Sequence, residues 1–199
     1  MNDAAPIQRP ELTLPEEEAV AVRAAYAKAK VILEYGSGGS TVVASELPGK
    51  QVWSVESDPD WANMMRGWFA ANPGQSPVTI VHADIGPTVE WGYPKRPKFW
   101  ANYPGYPLGV WTDGEMPAPD TVLVDGRFRV GCALATAFMT EKPVKLLFDD
   151  YTPRKAYRAV EQYLGTPEIV GRMALFDVTP LEFPKRDLLK VIKLMCATL

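Results

Sequence analysis

Cysteine is nearly absent from this chain. The two in 199 residues, Cys132 and Cys196, lie far apart and without the spacing of a metal-ligand set. They read as buried free thiols in a reducing cytoplasm. Histidine is scarcer still: His82 stands alone, and its place near a strand end favours packing or a supporting hydrogen bond over catalysis. Positive charge is not in excess, since the formal net charge is −3 and the pI is near 5.3. Such a chain has no general attraction to a phosphate backbone, which sets nucleic acid aside as substrate or partner. No apolar run approaches the length that spans a membrane, and Met1 to Glu11 lacks the basic-then-apolar order of a signal peptide. Repeats and low-complexity tracts are missing as well. What remains is an ordinary globular composition, 47% hydrophobic, long enough for one domain with a full core.

The chain is organised around Val31-Ile32-Leu33-Glu34-Tyr35-Gly36-Ser37-Gly38-Gly39-Ser40. A short apolar run with β-branched residues suits a buried strand. Three glycines in four positions then allow a sharp turn and close approach of a ligand to the backbone. Thr41 to Leu47 reads as a helix stopped by Pro48-Gly49, and a helix start behind a glycine turn offers unpaired N–H groups to polar ligand atoms. Val52 to Glu56 forms a second strand ending in a carboxylate twenty positions after Gly36, where such folds place the acid that binds a ribose hydroxyl. A dinucleotide fingerprint would want a third glycine at Thr41.

Glu34-x-Gly36-x-Gly38-Gly39 resembles the first motif of the class I S-adenosylmethionine-dependent methyltransferases. The resemblance covers about residues 30–195 and implies a Rossmann-like, seven-stranded, mostly parallel sheet with helices on both faces and an antiparallel C-terminal strand. It implies S-adenosylmethionine as cofactor. Gly36, Ser37, Gly38 and Gly39 would lie under its methionine part, with Glu34 orienting the amino group. Glu56 would take the ribose, Asp84 the adenine amino group, and Ile85 the face of the ring. Asp125 would border the cofactor; separately from the resemblance, Asp125 or Asp150 could remove the proton as general base if no metal takes part.

In chain order, residues 1–12 read as an N-terminal arm and 13–199 as a single domain. Thr13 and Glu16 have the form of a capping box opening a helix to about Lys30, whose charges Glu16, Glu17 and Glu18 read as solvated. Asp58-Pro59 opens another helix, and Val78 to His82 forms the third strand. Residues 86–119, rich in proline and aromatics, read as an irregular insertion: a platform for a substrate, an apolar flap or a homodimer contact. Thr121 to Asp125 and Lys145 to Tyr151 are the fourth and fifth strands. Ile169 to about Val178 and Leu188 to about Met195 read as a closing strand pair. Carboxylates thus end five successive strands (Glu34, Glu56, Asp84, Asp125, and Asp149 or Asp150) at the edge where open α/β sheets bind ligands.

Asp125, Asp149 and Asp150 also resemble the magnesium ligands of catechol-type O-methyltransferases, and a hard cation would suit them. The lysine that those enzymes carry three residues after the first aspartate is Phe128 here, which favours a metal-independent site. Arg127 or Arg129 could hold a substrate carboxylate. The expected function is methyl transfer to a hydroxyl of a small molecule or sugar. A nicotinamide-dependent oxidoreductase and a non-catalytic cofactor-binding protein are the alternatives.

Overall fold

The computed structural model describes residues 8–198. Its elements run α1 (Glu16–Lys28), β1 (Val31–Tyr35), α2 (Gly39–Ser45), β2 (Gln51–Glu56), α3 (Pro59–Ala71), β3 (Val78–His82), β4 (Thr88–Val89), β5 (Tyr93–Pro94) and α4 (Gly105–Thr112). These are followed by β6 (Thr121–Val124), α5 (Arg129–Met139), β7 (Val144–Phe148), α6 (Glu161–Leu164), β8 (Glu168–Val170), β9 (Met173–Val178) and α7 (Leu188–Met195). Seven strands form one sheet in the order β3-β2-β1-β6-β7-β9-β8. The first five are mutually parallel, and β9 runs antiparallel to both β7 and β8.

Period-two alternation sorts the strand residues onto two faces. Ile32, Leu123 and Leu147 pack with Val22 and Tyr26 of α1 and Ala44 of α2. Leu33, Tyr35, Val122, Val124, Leu146 and Phe148 pack on the other face with α4, α5 and α7. Both faces are buried, which is why the parallel strands read as unbroken apolar runs. On β3, Ile80 packs under Ala62 and Met65 of α3. That helix starts as expected, with Asp58 Oδ1 accepting from the Asp60 and Trp61 N–H groups. Among the described residues no helix is long and apolar enough to cross a membrane.

Four expectations are corrected. Leu188–Met195 is a helix, not a strand. Its run holds apolar residues at helical spacing, and Val191 and Met195 bury one face while Lys190 and Lys193 face outward. Met195 backbone lies so close to α5 that a Cβ on Gly131 would come within 2.9 Å of it. The closing strand pair lies wholly within residues 168–178, turned at Gly171 with φ +57°. Thr13 caps nothing, because Pro15 occupies the cap position without a side-chain bond and its carbonyl accepts from Ala19 N. Glu18 is buried rather than solvated, accepting from the backbone N–H of Arg172 at 2.7 Å.

The insertion is partly ordered structure. Tyr103 and Tyr106 pack on Phe128, Tyr35 donates to the Pro107 carbonyl at 2.6 Å, and Trp111 Nε1 donates to Tyr35 Oη at 2.7 Å. Most of these rings are therefore a flap sealing the sheet.

The turns after β1 and β6 press closely together. A Cβ on Gly126 would lie 2.1 Å from Tyr106 Oη and 2.7 Å from Gly36 N, whereas one on Gly38 would meet nothing within 4 Å. Gly126→Ala is expected to lower unfolding stability by about 1–3 kcal/mol, and Gly38→Ala to stay within about 0.5 kcal/mol of the parent. Urea midpoints of the two variants check this.

Candidate active site

A cavity of about 980 Å³ opens beyond the carboxyl ends of β1, β2, β6 and β7. Its floor is the Gly36–Gly39 turn and the Asp125-Gly126 turn. Glu56, Trp61, Trp91, Tyr93 and Tyr106 rise around it, and Asp149 and Asp150 close one end. Gly36 holds φ +99° and donates its N–H to Val55 O at 2.8 Å, so the turn is locked onto β2.

The strand-end carboxylates have different fates. Glu34 is fully buried and lies behind the turn, outside the cavity wall. It accepts from Tyr26 Oη and Thr41 Oγ1, both at 2.5 Å, while Thr41 Oγ1 accepts from Gly38 N at 3.0 Å. Thr41, standing where a dinucleotide fold has its third glycine, thus joins Glu34 to the turn. Burial lifts the Glu34 carboxyl to about 6, against the hydroxyl bonds that favour its charge. Glu56 does line the cavity. Its Oε1 accepts from Ser57 N (2.7 Å) and Asp58 N (3.0 Å), and its Oε2 from Ser37 N (3.3 Å).

Asp84 and Ile85 are not part of the wall. Asp84 is exposed and its Oδ1 accepts from Gly86 N at 2.8 Å, while Ile85 is fully buried in the core. The β4–β5 hairpin stands beside Glu56 instead: Ser57 Oγ donates to Gly92 O at 3.0 Å. His82 likewise lies outside the cavity lining.

Asp125, Asp149 and Asp150 come together, but around guanidinium groups. Arg129, only 5% exposed, places Nη2 3.0 Å from Asp125 Oδ1 and Nη1 3.4 Å from Asp150 Oδ2 and 3.9 Å from Asp149 Oδ2. Arg172 grips Asp149 with two bonds, Nε to Oδ1 at 3.1 Å and Nη2 to Oδ2 at 2.8 Å. Asp150 also meets Arg154 and Arg172, each at 3.2 Å. Among the described residues no cluster of acids, cysteines or histidines is arranged to hold a metal ion. Burial, with help from Asp149 and Asp150, outweighs Arg129 and raises the Asp125 carboxyl to about 7, although its side chain remains 34% open to the cavity.

Strain gathers at the same rim. Trp91 (φ +62°), Phe128 (φ +50°) and Asp150 (φ +56°) are the non-glycine residues with positive φ among those described. Such conformations persist where surrounding contacts over-determine them.

No protein-family model and no curated protein matches this sequence. Solved structures do. A methyltransferase-like protein from Silicibacter pomeroyi DSS-3 is 57% identical, with 95% of this chain and 98% of that chain covered and a TM-score of 0.92. The chain belongs to the class I S-adenosylmethionine-dependent methyltransferase family. More distant structures share the fold. The O-methyltransferase TomG from Streptomyces achromogenes, in complex with SAM, is 13% identical over 84% of this chain and 81% of that one, with a TM-score of 0.55. An O-methyltransferase from Bacillus cereus in complex with SAH is 12% identical over 87% and 84%, also with a TM-score of 0.55.

In this methyltransferase-family chain the arm is a part of the site that its sequence did not signal. Residues 1–7 lie outside the described residues, but Glu11 and Leu12 pass so close to Gly39 that a Cβ there would approach their backbone to 2.1 Å. Residues 10–14 line the cavity, and Arg9 pairs at 2.5 Å with Glu46, the residue that follows α2. Arg172 is the other: it reaches Asp149 only because β8 and β9 turn at Gly171 and Glu18 fixes its N–H.

Glu34 holds its proton more tightly in the folded protein than in the unfolded chain, about 6 against an ordinary 4.5. Its stabilising contribution is therefore full below pH 4.5 and lost as the pH rises through 6. The interval corresponds to about 2 kcal/mol. Stability of Glu34→Gln minus that of the parent is expected to rise by this amount between pH 4 and 7 in denaturant titrations. A flat difference would contradict the assignment.

Proposed function

We propose that the cavity binds S-adenosylmethionine and that the chain transfers its methyl group to a hydroxyl of a small molecule. The carrying observation is that the glycine turn, the buried Glu56 carboxylate and the Asp125-Gly126 turn face one cavity at the upper end of the range of ligand pockets, about 300–1,000 Å³. That volume suits a cofactor and an acceptor side by side. The fit to the cofactor rests on Gly38, whose missing side chain leaves open space, and on Glu56, whose three N–H bonds leave acceptor capacity for ribose hydroxyls. Trp61 and Trp91 supply apolar surface beside it, the role expected of Ile85. The bound cofactor supplies a methyl group on a good leaving group.

The protein's own task is then alignment, exclusion of water and removal of one proton. Asp125 is the base we assign, because a carboxyl lifted to about 7 is matched to proton transfer near neutral pH. Asp150 acts through its pairing to Arg129 and Arg154, positioning the wall that faces the acceptor. We read the site as metal-independent, since Arg129 occupies the space among the three carboxylates that a cation would need. The net charge of −3 supports a small acceptor rather than a nucleic acid. The free thiols of Cys132 and Cys196 support a reducing, cytoplasmic setting.

S-Adenosylhomocysteine at a hundred times its dissociation constant is expected to stabilise the fold by about 2.7 kcal/mol. Glu56→Ala is expected to weaken its binding by about 2 kcal/mol, roughly 30-fold in Kd. Calorimetric titration of both proteins measures this. An unshifted melting temperature at millimolar ligand would overturn the cofactor reading, and an unchanged Kd in Glu56→Ala would remove Glu56 from the ribose site.

A further inference from the structure

Among the arginines that line the cavity, one stands apart. Arg129, Arg154 and Arg172 each lie within 3.4 Å of a carboxylate oxygen of Asp125, Asp149 or Asp150, so each has an acidic partner. Arg127 also lines the cavity, yet no carboxylate lies within ion-pair distance of it among the described residues. It is only 8% exposed. Its Nε and Nη1 are buried without any hydrogen-bond partner, and among the described residues they are the side-chain nitrogens and oxygens left in that state. The guanidinium lies 4.0 Å from the ring centroid of Tyr93. Burial pushes the Tyr93 phenol up, but Arg127 and then Arg154 outweigh it and leave it lowered.

A buried charge with orphaned donors is expensive to keep. Apart from its stacking on Tyr93, the side chain makes none of the bonds that hold this part of the fold: the backbone of Arg127 donates to Tyr106 Oη, and Arg129 makes the cross-strand bonds. The missing partner has the chemistry of an oxyanion, which a guanidinium recognises with charge and several N–H groups at once.

We propose that Arg127 anchors an oxyanion carried by the methyl acceptor, so that the substrates of this site are anionic small molecules bearing a carboxylate or phosphate. This rests on the methyl-transfer reading of the same cavity. An oxyanion could also come from the amino-acid end of the cofactor. The acceptor is favoured by Arg154, which follows β7 and is a second cation beside Tyr93. Tyr93 gives the anchored group a flat neighbour, which suits an acceptor with an aromatic ring.

The test titrates benzoate, phenyl phosphate and uncharged benzamide into protein saturated with S-adenosylhomocysteine, for the parent, Arg127→Met and Arg127→Lys. Benzoate or phenyl phosphate is expected to bind the parent about 10-fold more tightly than benzamide, and the stronger of the two identifies carboxylate or phosphate. Arg127→Met is expected to lose about 10-fold of that anion affinity, with the Kd of S-adenosylhomocysteine changed less than about 3-fold, and Arg127→Lys to retain part of it. The ligand-free melting temperature of Arg127→Met is expected to equal or exceed that of the parent, since an unpaired buried charge is removed. A clear fall would make Arg127 a structural residue and overturn the proposal. So would equal anion binding by the parent and Arg127→Met, or no anion binding by the parent. Weaker S-adenosylhomocysteine but unchanged methylthioadenosine, which lacks the carboxylate, would assign the guanidinium to the cofactor instead. If the parent fails to bind S-adenosylhomocysteine, the methyl-transfer reading falls, and the same anion titrations without it still decide the role of Arg127.

Discussion

One buried guanidinium ties the ends of two strands together. Arg129 Nε donates to Gly126 O and Nη1 to Asp149 O, both at 2.9 Å, while Nη2 meets Asp125 at 3.0 Å. These bonds set the distance between the turn after β6 and the turn after β7. The first of those turns carries Gly126, which presses on Gly36, so the glycine turn of β1 takes its place from the same side chain. A guanidinium can do this because its fixed planar donors serve carbonyl and carboxylate partners simultaneously. An ammonium would satisfy fewer of them. Its charge is tolerable because Asp125, Asp149 and Asp150 surround it, and those three carboxylates are in turn tolerable because Arg154 and Arg172 share them.

The backbone records the demand that this arrangement makes. Phe128, immediately before Arg129, adopts a left-handed conformation while fully buried, and Asp150 adopts one at the end of β7. Both sit where a strand must turn abruptly to present a polar side chain to the cavity. Glu34 plays a complementary part on the far side of the turn. It is a buried acid held by two hydroxyls, and it braces Thr41 and α2 without touching the ligand space. The Tyr26 hydroxyl stays a donor there, since burial and then Glu34 push its pKa well up.

Much of this was legible in the sequence, for local reasons. Val31–Tyr35 and Thr121–Val124 are short apolar runs ended by polar residues, and a parallel strand buried on both faces has no other appearance. Gly36, Glu56 and Asp125 reach the cavity because strand ends in a parallel sheet share one edge. The misreadings depend on partners far along the chain. Leu188–Met195 is the exception: its apolar residues already fall at helical spacing in the sequence, and α5 then offers Gly131 for Met195 to approach. Glu18 looks like its neighbours Glu16 and Glu17 until Arg172, 154 positions away, brings its N–H to it. Asp84 has the right spacing for a ligand contact, but the β4–β5 hairpin stands beside Glu56 and Ser57 in its stead. Arg127 and Arg129 are indistinguishable as sequence. Only the fold shows that one is fully paired and the other is not.

Guanidinium groups organise the carboxylates of this cavity, and the proposed site needs no metal cation among them. A crystal structure of the protein grown with S-adenosylhomocysteine and magnesium chloride tests it most directly. The result expected is S-adenosylhomocysteine between the Gly36–Gly39 turn and Glu56, with Arg129 still bridging Asp125 and Asp150. A magnesium ion ligated by Asp125 together with Asp149 or Asp150, with Arg129 displaced, would contradict it.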